Sequence, residues 1–310
     1  MALNYAEVWS PDLLEIMEQE SLTSPFVTTA VKWLSAKTFH FTQMSTSGYK
    51  SHSWLGGWNK GTFAQTDVPF TLTHDRDIQF MIDKIDVDET NETASIKNIS
   101  EVFHKTQQIP EMDAYFYSKV ATEAQKLEGY HSSTALSSYT KENVYGKLKA
   151  MLSAGKLRRY VAKGALIAYV NSTIMDLLEQ STDFTRKIEM TQIAEGGIGI
   201  ETRITDIDGV TLIEVIDDER FYDKFDFTDG FTPVASTSHK INVLIASPLT
   251  VKTVPKIASI YYFNPGQHTE GDGYLYQDRS LSDTFVFPNG KDNKIDSIYV
   301  DVDTETYSAA

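Results

Sequence analysis

The chain has 310 residues, 41% of them hydrophobic, a formal net charge of −15 and no cysteine. That length suits one large domain or two ordinary ones; no run nears the length needed to cross a bilayer, and disulfides, thiolate nucleophiles and cysteine-bound metals are excluded. Acidic residues outnumber basic ones by 43 to 28, against the basic face of a protein that grips a nucleic-acid backbone.

The N-terminus, "MALNYAEVWSPDLLEIMEQE", lacks the basic-then-apolar order of a secretory signal. Ser10 and Pro11 suit the N-cap and first position of a helix over 12–20, with Leu13, Leu14, Ile16 and Met17 near helical spacing. "SLTSPFVTT" ends it, which leaves an N-terminal segment with little core of its own. Residues 37–48 and 62–83 alternate as two extended arms, the second through Phe70, Leu72, Ile78, Phe80 and Ile82. Between them lies "YKSHSWLGGWNKGTF" at 49–63, a glycine-rich tip with Trp54, Trp58, Lys50 and Lys60 and no acidic residue. Such a tip belongs on the surface, yet each covered indole contributes roughly 2–3 kcal/mol by area. Something must therefore lie against it.

Residues 96–127 carry the strongest helical pattern, through Ile99, Val102, Phe103, Ile109, Met112, Phe116, Val120 and Ala124. Pro110 predicts a kink or restart, and Gly129 a stop. At about 1.5 Å per residue the stretch spans roughly 48 Å, the length of a spine. From 141 helix and strand alternate. "KENVYGKLKAML" reads as helix and "RYVAKGALIAYV" as strand, the basic run "KLRRYVAK" at 156–163 flanking it on a solvated face. "NSTIMDLLEQS" reads as helix with Asn171 or Ser172 as N-cap. "GIGIETRI" and "VTLIEVI" read as strands joined by the turn "TDIDG", and "KINVLIAS" as another strand. The tail holds strands at "IASIYYF", "TFVF" and "SIYVDV", with turns at Pro265-Gly266 and Asn289-Gly290.

Chemistry is sparse. "GGIGIET" at 196–202 lacks the third glycine of a dinucleotide loop and runs into a strand. The P-loop, zincin and nucleophile-elbow patterns are absent, and seven histidines are scattered without ligand spacing. "DIDG" at 206–209 has part of a calcium loop, but its twelfth position is Asp217 rather than glutamate. "DDERFYDKFDFTDG" at 217–230 is dense in carboxylates but interrupted by aromatics, and reads as a loop between solvated turns. No catalytic, cofactor-binding or metal residue is singled out.

The order of these parts resembles that of the major capsid proteins of tailed bacteriophages, the Hong Kong 97 fold. The stretches "LNYAEVWSPDLLEIM", "FTLTHDRDIQFMIDKID", "IPEMDAYFYSKVATEA" and "DGVTLIEV" are similar to capsid proteins of siphophages that infect Gram-positive bacteria. The resemblance implies an α+β chain with an N-terminal arm at 1–36 and an extended hairpin loop at 37–75. A peripheral domain with the spine helix would follow at 76–130, an inserted axial domain at 131–255, and a return to the peripheral domain at 256–310. It implies a structural protein of the virion, assembled in the host cytoplasm from pentamers and hexamers into the icosahedral head around double-stranded DNA. Enzymatic activity, cofactor and membrane are not expected. The arm would reach across subunits, and the hairpin would lie over a neighbour. Trp54, Trp58, Lys50 and Lys60 would then be inter-subunit contacts. Partners would be copies of the chain itself, with scaffold, portal and decoration proteins, and packaged DNA held weakly, as the acidic balance allows. Some members weld subunits by a lysine–asparagine isopeptide bond, but no asparagine partner or activating glutamate matches Lys50 or Lys60, so no crosslink is expected. The chain begins close to the arm, which implies a separate scaffold or none. Two other readings stay open: an encapsulin-like nanocompartment shell, and a soluble α/β enzyme using the carboxylates of 217–229.

Overall fold

The computed structural model describes residues 21–29, 33, 37–52, 54, 56–85, 96–181, 188–191, 202–289 and 294–308. Strands β1 (Thr38–Thr46) and β2 (Phe63–Thr71) form an antiparallel hairpin with Phe39 opposite Phe70. After Leu72 and Thr73 the chain leaves that ladder, and β3 (His74–Asp83) joins a different sheet. The spine follows as α1 (Ile96–Phe103), a π turn (His104–Gln108) and α2 (Ile109–Gln125). Pro110 has no N–H to continue the ladder, so the helix widens and restarts with proline in its first turn. Gly129, at φ +79°, lies just past the end.

The rest of the chain supplies β4 (His131–Ser133), α3 (Val144–Leu152), α4 (Arg158–Val161), β5 (Ile167–Asn171) and α5 (Ser172–Glu179). Asn171 caps α5, its side chain accepting from the backbone N–H of Thr173 at 3.0 Å. Strands β6 (Ile188–Thr191), β7 (Thr202–Ile207) and β8 (Val210–Val215) come next. Asp208 and Gly209 join the last two with φ of 52° and 80°, the paired left-handed residues of a tight hairpin. The chain ends with β9 (Phe225–Asp226), β10 (Thr232–Pro233), β11 (His239–Ala246), β12 (Val251–Phe263), β13 (Gly273–Val286) and β14 (Ile298–Thr306).

Seven strands form the main sheet in the order β4-β14-β11-β5-β8-β7-β6, and a second sheet has the order β12-β13-β3. The central strands β5 and β11 are apolar at successive positions because both faces are covered. Tyr169, Leu244 and Val300 share a core with Phe116, Tyr117 and Val120 of α2. Their neighbours Ala168, Val170, Val243 and Ile245 share another with Leu148 of α3 and Ile174 of α5.

Several expectations change. The basic run is not a strand edge: Arg158–Val161 is a helical turn, Gly164 turns the chain at φ +61°, and β5 begins only at Ile167. The N-terminal segment contributes to the core, since Leu22 and Phe26 are buried in it. The Phe26 ring lies 4.7 Å from that of Phe116, and Tyr169 Oη donates to the Leu22 carbonyl at 2.7 Å. The boundaries expected at 130 and 255 do not divide the core. Helix α2 packs on the main sheet, and β14 runs inside it between β4 and β11. The helix expected at 12–20, the glycine-rich stretch 196–201 and Gly290 lie outside the described residues.

Candidate assembly surface

The hairpin is rooted in aromatic packing. Phe39 stacks on Phe70 at 5.6 Å, and both meet Phe285 edge to face at 5.2 and 5.4 Å. Trp33 adds an edge contact to Phe39 at 5.8 Å, with the Lys256 ammonium 3.7 Å from its ring centre. The elbow between β2 and β3 is polar. Thr73 donates its N–H and its hydroxyl to Asp283, at 2.9 and 2.8 Å, and Tyr115 donates its hydroxyl to the other carboxylate oxygen at 2.8 Å. Burial and the charge of Asp283 push the Tyr115 phenol well above its usual range. Asp75 accepts from the Arg279 guanidinium at 3.1 and 3.0 Å and from Lys37 at 3.0 Å. These hydrogen bonds, Arg279 first, hold its carboxyl down to about 2.

Beyond that root the two strands carry no covering layer. Met44, Phe63 and Tyr49 are exposed, and Trp54 and Trp58 are 87% and 95% exposed. The tip is nonetheless ordered by its own hydrogen bonds. Ser47 N–H donates to the Thr62 carbonyl at 2.8 Å, and Asn59 Nδ2 to the Ser51 carbonyl at 2.9 Å. Lys50 Nζ donates to the Lys60 carbonyl at 3.3 Å. All four residues expected at the site thus meet on one loop, whose residues 47–66 include no carboxylate. The sequence reading missed Met44 and Phe63, which extend the apolar surface down the arms. It also missed Ile260, Tyr261 and Tyr262, exposed on the edge strand β12. An alternating arm gives no signal that the face it alternates toward is empty.

The carboxylate-rich stretch is not a loop between solvated turns. Arg220 is 1% exposed, and its guanidinium bonds Asp113 at 3.2 Å and pairs with Asp217. A buried guanidinium requires such partners. Asp113, itself fully buried, also accepts from Ser21 Oγ at 2.9 Å, Thr23 Oγ1 at 2.7 Å and Leu22 N–H at 3.1 Å. Burial raises the Asp113 pKa, and Arg220 with these three donors opposes that rise. Asp218 accepts from Asn171 and Lys240, and Asp223 from Gln125 and the His239 N–H. These carboxylates tie chain segments together. Among the described residues no cluster of three or more histidine or acidic side chains could hold a metal ion, and no helix is long and apolar enough to cross a membrane.

No protein-family model matches the chain, and no curated protein does either. Solved structures do match, over nearly its whole length. The bacteriophage PhiM1 mature capsid chain is 12% identical with a TM-score of 0.64, covering 97% of this chain and 92% of that one. The capsid chain of cyanophage P-SCSP1u is 10% identical with a TM-score of 0.60, covering 98% and 94%. That of Myoviridae phage XM1 is 8% identical with a TM-score of 0.55, covering 95% of each. At these identities the likeness is one of fold: the chain has the Hong Kong 97-type fold of phage capsid subunits.

Proposed function

We propose that the chain is the major capsid protein of a tailed phage, which self-assembles into the icosahedral head around double-stranded DNA. One observation carries the reading. A full-length capsid-subunit fold presents a long hairpin whose tip exposes two tryptophans that its own subunit does not cover. Large exposed apolar patches mark interaction sites, and interface anchors are enriched in tryptophan. In this reading the hairpin is the extended loop, and Trp54, Trp58, Lys50 and Lys60 contact a neighbouring subunit. The spine with the sheet β12-β13-β3 forms the peripheral part, and β5–β11 with their helices the axial part. The virion is its location and copies of itself its first partners, with scaffold, portal and decoration proteins following from the same role. A net charge of −15 keeps packaged DNA from adhering to the wall. The role is structural rather than enzymatic, and the engaged carboxylates of 217–223 agree with that. Purified protein should give closed shells in negative-stain microscopy and fast-sedimenting species at micromolar concentration, with scaffold supplied. A strictly monomeric chain under those conditions refutes the proposal.

A further inference from the structure

Phe80 on β3 and Ile99, Val102 and Phe103 on α1 line an apolar groove of about 310 Å3. It is continuous with a polar cleft of about 620 Å3 that shares Phe80, Phe103 and Gln107 with it. The cleft carries the carboxylates of Asp77 and Asp229, both on exposed residues. Arg76, which also lines it, is already engaged by Glu111 at 2.6 Å. An apolar slot and a negative cleft therefore lie side by side.

The hairpin tip has the complementary pattern. Trp58 projects almost fully exposed, so it does not occupy the groove of its own molecule. Two residues on stands Lys60, in a loop with no acidic residue, on a chain that is strongly acidic overall. We propose that Trp58 of one copy seats in the groove between Phe80 and Val102 of a second copy, with Lys60 against Asp77 and Asp229. This rests on the shell-subunit reading and specifies where on the neighbour the hairpin docks. An indole removes roughly 150–250 Å2 from water when buried, and opposite potentials orient such encounters. Donor and acceptor surfaces differ, so the contact is head-to-tail. It passes from copy to copy and closes into a ring when the rotation permits.

The chain has no cysteine, so Gly57→Cys at the tip and Asn98→Cys at the groove introduce the only thiols. Assembled particles of the double variant, treated with a short bismaleimide, should give a ladder of covalent multimers on a denaturing gel. Either single variant should give dimers at most. Adding Val102→Trp, which fills the groove, should cut the ladder at least tenfold while the soluble subunit unfolds at its usual temperature. Particles that form without the ladder overturn the docking and leave the shell reading standing; a wild-type chain that forms no particles overturns both. Should a cysteine block assembly, a reconstruction of the wild-type particle decides. The Trp58 indole in a neighbour's groove upholds the docking, and a groove empty or filled by another side chain overturns it.

Discussion

Asp113 and Arg220 meet inside a core that otherwise excludes charge, and each depends on the other. Replacing Asp113 by Asn keeps the shape but leaves the guanidinium with Asp217 alone. Removing one partner of a buried pair costs about 3–5 kcal/mol, and Asp113→Asn should lower subunit stability by that order in denaturant titration. Because Ser21, Leu22 and Thr23 also hang on Asp113, the variant should expose 21–28 to limited proteolysis before it unfolds globally. A subunit of unchanged stability would mean that Arg220 finds compensation elsewhere. Asp75 behaves oppositely, since its folded pKa of about 2 lies below the unfolded value near 3.9. Its contribution is therefore fully present above about pH 4 and is lost as pH falls toward 2. The effect is small because the cluster is solvated. The stability difference between wild type and Asp75→Asn should be constant from pH 7 to about 5 and shrink below 4; a difference that grows on acidification contradicts the pairing. Neither device was legible in the sequence. "DDER" offers four charges and no sign of which one is buried, since burial is decided by elements nearly a hundred residues away.

At the scale of elements, the hairpin's existence was legible and its end was not. Alternation identifies an extended arm, and it runs unbroken from Phe70 through Leu72 to Ile82. The change of partner at Leu72–Thr73 is set by Asp283, distant in sequence. The spine was legible because its apolar spacing persists for many turns and Pro110 announces its own restart. The strand in "RYVAKGALIAYV" was read too early because no local feature distinguishes a short basic helical turn from a strand edge. The rooting of the hairpin is testable. Phe39 joins the hairpin to Phe285, Phe287 and Trp33, and loss of a buried phenylalanine costs about 3–5 kcal/mol. A two-stranded ribbon is only marginally stable alone, so Phe39→Ala should strip hydrogen-exchange protection from 38–46 and 63–71. Protection in β11 and β14 should stay. Uniform loss across all strands would mean that the hairpin and main sheet unfold as one unit.

At the scale of the whole molecule, the resemblance to an inserted domain describes the chain's path better than its energetics. Strands β5 to β11 do follow one another after the spine, as an insertion would. Their sheet is completed by β14 from the far end of the chain, in register with β11 through Leu244↔Val300 and neighbouring pairs. One of its faces is covered by α2 and by Leu22 and Phe26. A fragment of 131–255 would therefore expose that face and leave β11 with an unpaired edge, and exposed apolar strand edges aggregate. Expressed alone it should be insoluble, or soluble without a cooperative unfolding transition. The full chain with a short insertion at Asp208–Gly209 should fold, because that hairpin tip lies on the surface and bears no packing. The same insertion near Phe116 should not, because it would displace α2 from both the sheet and Phe26. Should the fragment melt cooperatively with dispersed amide resonances, the shared core is dispensable, and the axial region is an independent domain after all.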